Sequence, residues 1–580
     1  MVLTSLLVAL AGCGAPGPGP APAPAPPADC SQDASLDWDS VGRPLLTTWC
    51  TPCHSSSLSE TARSGAPEGL DLDTYASVVQ WSEQILASAG TSDRMPPAGG
   101  MSDTERRLLS DWITCGLPGG GPEPAEPCAT LAPAPGDHPL DASLCRDYNA
   151  LSGDLVVEGD ASALSCLCSV EGELELSSAG GSVHLPLLSA VGGSVRLQGS
   201  SITTLDLPEL RTVGGSLIVV DNPSLERLSL DHLRELGALT VTDNERLQRL
   251  DLSSVHRIHK GGLLIERNDQ IEVIDLARLS HLEGDLVIAL HPRLEQLNNL
   301  DAIEYIGGHL EIRDNAMSWM GEMPRLESLG GNLVLSGNSG LGVWVALGDT
   351  TTIGGGVQIS GNPELEILSI GRSLQTVGGR LEIVDNASLS EIDPLPALTR
   401  IDDVLEIRGN PSLVALPGFA SLGRAGGVII EDLPSLESMG PFDVVQGITG
   451  EVRFVDLPLL STIAPFPVVD VSGGVHVLRT GTDDLYALSR LQSAGSLTVD
   501  DNPRLVRLVG LAALEQTAGE LALTNNPSLR QISALVGVSA VGGDLRIADN
   551  PSLPRTQVDL VTTAIGSGVA GAVDVHDNGP

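Results

Sequence analysis

The sequence predicts a multidomain chain in which a small all-α domain precedes a long all-β parallel solenoid. Three observations lead there. Residues 29–118 hold apolar positions at helical spacing around a Cys-x-x-Cys-His pentapeptide. From residue 145 to residue 580 one motif recurs with a period near 23. Aromatic residues make up only 2% of the 580 while hydrophobic residues make up 42%, so a core of this size has to be filled by Leu, Ile and Val. Composition also excludes function classes. The formal charge is −42 and Lys260 is the only lysine, which removes the basic stripe that nucleic-acid phosphates and anionic membrane surfaces require. Wholesale disorder is excluded by the apolar fraction despite that charge.

Residues 1–13 form an export signal. Val2 to Ala11 is an apolar run too short to span a bilayer, which needs about 20 residues, and it ends Leu10-Ala11-Gly12-Cys13. That ending resembles the lipobox of bacterial lipoproteins, which implies cleavage before Cys13 and lipid on its sulfur. No Lys or Arg precedes Arg43, a departure from the basic start of such signals. By the same resemblance, Gly14 after the lipidated cysteine implies the outer membrane or cell surface, with the periplasm as the alternative. Residues 14–28 are almost purely Gly, Ala and Pro, a semi-stiff spacer.

In residues 29–118, Leu36, Val41, Leu45, Leu46 and Trp49 fall at helical spacing with Pro44 near the helix start. Cys50-Thr51-Pro52-Cys53-His54 follows, a pattern that in an exported chain points to covalent haem attachment: two thiols one turn apart each reach a vinyl group, and the adjacent imidazole faces the iron. A zinc half-site or a disulfide loop is the competing reading, but zinc needs a second ligand pair and a redox Cys-x-x-Cys does not call for the histidine. About 40 residues later Arg94-Met95-Pro96-Pro97 offers the Met95 thioether on a rigid turn, with Met101 as the rival ligand. Ser102-Asp103-Thr104-Glu105 forms a capping box for a helix whose Leu108, Leu109, Trp112 and Ile113 are expected on one buried face. This order of leading helix, Cys-x-x-Cys-His, Met-Pro-Pro and closing helix resembles the class I c-type cytochromes, in particular lipoprotein members. The resemblance implies one covalent haem c held by Cys50 and Cys53, with His54 and Met95 as axial iron ligands, and electron transfer rather than enzyme catalysis.

Nine cysteines less Cys13, Cys50 and Cys53 leave Cys30, Cys115, Cys128, Cys145, Cys166 and Cys168, an even number that suits disulfides in an oxidising compartment. Cys30 and Cys115 flank the helical segment and form one candidate pair. The remaining connectivity is open. Residues 119–144 are a Pro/Gly-rich linker running into this cysteine cap.

Residues 145–580 repeat Gly-Gly-x-Leu-x-Ile-x-Asp-Asn-Pro-x-Leu. Marker glycines include Gly193, Gly215, Gly237, Gly308, Gly331 and Gly543, about nineteen copies counted from Gly153. Segments such as Leu310-Glu311-Ile312 alternate with the period of a half-buried strand, and asparagine recurs seven residues past the marker, from Asn222 to Asn578. One copy cannot bury its own apolar face, so copies must stack with strands in parallel, giving a rod on the order of 85 Å long for strands about 4.8 Å apart. The pattern resembles the leucine-rich β-helix of receptor L domains, which implies the fold but transfers no functional residues. Asp-Asn pairs such as Asp221-Asn222 read as turn hydrogen bonding rather than a calcium ladder, because the glycine-rich calcium nonapeptide is absent. Scattered histidines, among them His256, His259, His281 and His291, form no ligand set and are expected at the surface. No cap is expected at the C-terminal end of the stack.

Nothing in the sequence nominates a catalytic centre. The leading expectation is an exported monohaem electron carrier docked through its solenoid; the alternative is a surface adhesion or receptor-like protein with the haem segment as an accessory. Acidity runs along the whole chain, with 5 basic and 15 acidic residues in 29–127 and 27 basic and 59 acidic in 128–580. The expected redox partner therefore carries a basic patch, and the solenoid's own ligand is an unidentified protein or surface. The lipid on Cys13 is the only expected membrane contact.

Overall fold

The computed structural model describes residues 41–51, 53–55, 63, 66, 70–72, 75–90, 101–115, 148–157, 164–177, 181–345 and 347–580. The chain divides into two compact units, Met1–Ala129 and Thr130–Pro580. Among the described residues no helix is long and apolar enough to cross a membrane.

In the first unit, helix α1 (Arg43–Trp49) starts with Pro44 in its first turn, α2 (Tyr75–Ile85) continues as a π-helical turn over Leu86–Gly90, and α3 (Asp103–Thr114) follows. The capping box is complete: the Glu105 amide donates to the Ser102 hydroxyl at 3.3 Å, and the Ser102 amide donates to the Glu105 carboxylate at 2.7 Å. Leu46, Cys50, Leu72, Val78, Ile85, Met101, Leu109 and Trp112 share one apolar core, with Trp49 and Trp81 packed against it. Leu108 departs from expectation. It is 37% exposed, because the buried stripe of α3 runs through Leu109, Trp112 and Ile113.

The second unit is a parallel β-solenoid. Eighteen successive parallel pairings join nineteen strands, from Leu155–Val157 through Leu310–Arg313 to Val573–His576. Within the stack the residues that alternate inward are buried, as in Leu310 and Ile312, while Glu311 and Arg313 face outward; the last strand departs from this, with Val573 and Val575 exposed. A second, two-residue ladder lies just ahead of the first in each coil, for example Arg257–Ile258 beside His281–Leu282 beside Tyr305–Ile306. The paired glycines make the corner between these ladders. At Gly378 the requirement is coil-to-coil contact rather than backbone conformation: a Cβ there would lie 2.1 Å from the Gly354 carbonyl oxygen of the preceding coil.

A third ladder of short strands closes the coil, running over seven strands from Arg249–Asp251 to Glu391–Ile392. Further along, 3-10 turns at Tyr486–Leu488, Val509–Leu511 and Ser533–Gly537 stand in that position.

The asparagines form a buried ladder. Asn386 is fully buried; its Nδ2 donates to the Ile359 carbonyl at 3.0 Å and the Val384 carbonyl at 3.1 Å, while its Oδ1 accepts from the Asn362 amide at 3.1 Å. The Asn386 amide in turn donates to Asn410 Oδ1 at 3.0 Å, so this side chain and its backbone link three successive coils and satisfy the buried turn without water. The left-handed residue is the one before the asparagine: Asp221, Asp243, Asp314, Asp385 and Asp549 all have φ between 56° and 58°.

The expected absence of a C-terminal cap is corrected only in part: a helix covers core near that end, while the last strand, Val573–His576, pairs on one side and leaves Val573 and Val575 exposed. Helix α4 (Arg555–Ile565) departs from the strand pattern and buries Val558, Val561 and Ile565 at the end of the solenoid core. The expectation that the histidines are all at the surface is corrected at His291, which is fully buried in an asparagine-ladder position. The core also departs from pure aliphatic filling. All four phenylalanines, Phe419, Phe442, Phe454 and Phe466, are buried together with ring centroids 5.0–5.8 Å apart, beside the coils where Leu433 and Leu457 replace the asparagine.

Candidate functional site

The pentapeptide sits at the end of α1. The Cys50 amide donates to the Leu46 carbonyl at 2.8 Å, and the Cys53 and His54 amides both donate to the Cys50 carbonyl, at 3.1 and 2.9 Å. The chain therefore keeps turning through the motif, which places the two cysteines about one helical turn apart. Neither cysteine is in a disulfide. Cys50 is buried, and burial, helped by the neighbouring Cys53, pushes its thiol up to about 11. Such a thiol stays protonated at neutral pH, the opposite of the depressed thiolate that disulfide exchange or zinc ligation uses.

His54 is fixed from behind. Its Nδ1 lies 3.0 Å from the Leu70 carbonyl oxygen, and because a carbonyl only accepts, Nδ1 carries the proton. Nε2 is then the nitrogen with the lone pair, the arrangement typical of an imidazole that ligates a metal. The Leu72 amide donates to the His54 carbonyl at 2.7 Å, so the segment behind the ring is pinned at both its side chain and its backbone.

Arg63, which sequence reasoning missed, organises that segment. It is 4% exposed, donates from Nη1 to the Ser55 carbonyl at 2.8 Å and from Nη2 to the Leu70 carbonyl at 3.2 Å, and pairs with Asp71 at 2.7 Å. The available signal was positional: it is the only basic residue between His54 and Arg94. On the far side, Trp49 Nε1 donates to Glu105 at 3.3 Å, joining α1 to α3, and Arg106 Nη1 donates to the Ala89 carbonyl at 2.9 Å.

The structure brings Cys50, Cys53 and His54 onto one turn. Met95 lies outside the described residues, as do Cys13, Cys30, Cys128 and Cys145. Met101 belongs to the unit's core at 5% exposure. Cys115, Cys166 and Cys168 are disulfide-bonded. Two cysteines outside any disulfide, followed by an imidazole whose second nitrogen is held by a carbonyl, fit the demands of covalent haem attachment. They do not complete a tetrahedral zinc site, and among the described residues the one three-ligand cluster is the largely exposed Asp549, His576 and Asp577 of the last coil.

The chain matches no protein-family model and no curated protein sequence.

Proposed function

We propose that the protein is an exported monohaem c-type cytochrome lipoprotein that transfers electrons, with its solenoid used for docking or surface interaction. The observation that carries this reading is the His54 imidazole, held through Nδ1 by the Leu70 carbonyl on the same turn as two cysteines that are in no disulfide. Cys50 and Cys53 would hold haem c through their sulfurs, His54 would present Nε2 to the iron, and Met95 would supply the sixth ligand. Bound in that way, the haem supplies a one-electron couple with both axial positions filled, which suits electron transfer rather than substrate turnover. The surrounding residues do the rest: Leu46, Leu72, Leu109 and Trp112 keep the site apolar, and the Arg63–Asp71 pair keeps the segment behind His54 in place.

The acidic surface makes a redox partner with a basic patch the natural one, with association that weakens as salt rises. Lipid on Cys13 would hold the chain at the outer membrane or cell surface. A pyridine haemochrome spectrum of the exported protein tests the reading. One haem c per chain is expected, and a haem-free product from a host competent in cytochrome maturation overturns it. Met95→Ala is expected to abolish the spectral signature of methionine ligation while leaving the haem attached.

One observation favours the adhesion reading as second. Trp319, 48% exposed, pairs on the third ladder with Val343, 38% exposed, and Val345 stands beside them at 43%, an apolar stripe facing outward. Deleting residues 29–118 separates the two readings: loss of redox activity with surface binding retained supports electron transfer as the task of the first unit, whereas an unchanged phenotype supports adhesion.

A further inference from the structure

The Leu70 carbonyl accepts two hydrogen bonds of different character. One comes from His54 Nδ1 at 3.0 Å and the other from the Arg63 guanidinium at 3.2 Å. A carbonyl oxygen has two lone pairs, so both bonds form, but a cationic donor withdraws electron density from the oxygen and weakens its pull on the neutral N–H. Arg63 is nearly fully buried, so its charge acts in a medium where electrostatic effects are large. Asp71, with a quarter of its side chain exposed, balances that charge at 2.7 Å.

We propose that Arg63 and Asp71 form an opposed pair of positioning residues that set the electron-donating strength of His54, and through it the reduction potential of the site. This inference rests on the haem reading given above. Two effects of Arg63 act in the same direction. By competing for the Leu70 oxygen it keeps His54 a neutral imidazole rather than one with imidazolate character, and a weaker donor favours ferrous over ferric iron. Its buried positive charge also opposes the extra positive charge of the oxidised state. Asp71 acts against both, through its own charge and by drawing the guanidinium away from the carbonyl. A structural role alone makes a different prediction. Loosening the segment from Ser55 to Leu72 by either substitution lets water reach the site and moves the potential the same way in both variants.

The test uses the full-length holoprotein and three variants, Arg63→Gln, Arg63→Lys and Asp71→Asn. Haem content is read by pyridine haemochrome and reduction potential by spectroelectrochemical titration. The expected result is a potential lowered in Arg63→Gln and raised in Asp71→Asn, each a several-fold change in the oxidised-to-reduced ratio at a fixed poise. Arg63→Lys, which keeps the charge and loses the fork across two carbonyls, is expected between Arg63→Gln and wild type. It carries the arginine arm if Arg63→Gln does not take up haem. The His54 Nδ1 proton of the ferrous protein should move downfield in Arg63→Gln as its bond to Leu70 strengthens. Potentials that shift together, or stay put in haem-loaded variants, overturn the role of the pair and leave the haem reading standing. Wild-type protein without haem overturns the reading beneath it.

Discussion

His291 occupies the place in its coil where the neighbouring coils carry asparagine, and an imidazole does that job badly. Asn315 still serves it, accepting from the His291 amide through Oδ1 at 3.2 Å, and Nδ1 turns back to the Ala289 carbonyl. Nε2, however, is buried with no hydrogen-bond partner. Burial is the main cause that pushes this imidazole down to about 4; the Ala289 carbonyl, Glu266 and Asp269 pull it up by less. The consequence for stability has a definite sign. Between about pH 6.5 and pH 4 the unfolded chain binds a proton at this position and the folded one does not, so acidification favours unfolding. A shift of this size is worth roughly 3 kcal/mol once pH has dropped below both values. His291→Asn removes the titration and offers an Oδ1 to the Asn268 coil. The urea midpoint of the variant is therefore expected above wild type at pH 7, with a gap that widens as pH falls towards 4.5. Parallel pH profiles for the two proteins would refute this account.

At the scale of elements, the corner between the two main ladders depends on glycine for a reason that the backbone angles alone do not reveal. In Gly378→Ala the new methyl would sit 2.1 Å from the Gly354 carbonyl oxygen, a backbone atom held by its own coil. The coils must separate there, and such overpacking costs roughly 1–3 kcal/mol. Gly447, by contrast, opens a short strand, and a Cβ there meets nothing within 4 Å. Gly447→Ala is expected within about 0.5 kcal/mol of wild type by chemical denaturation, as ordinary surface changes are; equal losses at both positions would show that close approach is not the cause.

The same contrast explains what the sequence could and could not reveal. The Gly-Gly corner, the alternating strand and the buried asparagine each demand one residue type at a fixed spacing, so the long ladder was legible. Strands as short as Arg249–Asp251 carry no periodicity to read. The phenylalanine cluster breaks the aliphatic pattern without changing the period. Helix α4 did leave a trace that went unread: Asn550 bonds to Asn578 across 28 residues where neighbouring rungs are 24 apart, an insertion of about one helical turn. In the first unit, the capping box and the Cys-x-x-Cys-His turn were legible because their partners lie three or four residues away. Arg63 was not, because what defines it is a carbonyl seven residues on and a carboxylate eight residues on.

At the scale of the whole solenoid, stability is a property of neighbours. Each coil in the stack bonds to the one before and the one after, so its folding free energy is close to a sum of coil and interface contributions, and opening proceeds from the ends. At the C-terminal end, α4 covers core that the last full coil would otherwise expose, with Val558 at 2%, Val561 at 0% and Ile565 at 4% exposure. Burying one valine contributes about 1.5–3 kcal/mol, and a carboxylate in its place carries a further desolvation penalty. Val561→Asp should therefore undock the helix while the bulk of the stack stays folded. The expected hydrogen-exchange pattern is a gradient. Amides of Leu545–Ala548 lose most protection, those of Leu521–Thr524 lose less, and those of Leu310–Arg313, far along the same ladder, exchange as in wild type. Uniform loss of protection along the ladder would mean instead that the nineteen strands open as one cooperative body. In that case the buried asparagine ladder would be the element that couples them, and Asn386→Ala, which removes bonds to both the preceding and the following coil, should then lower protection at both ends alike.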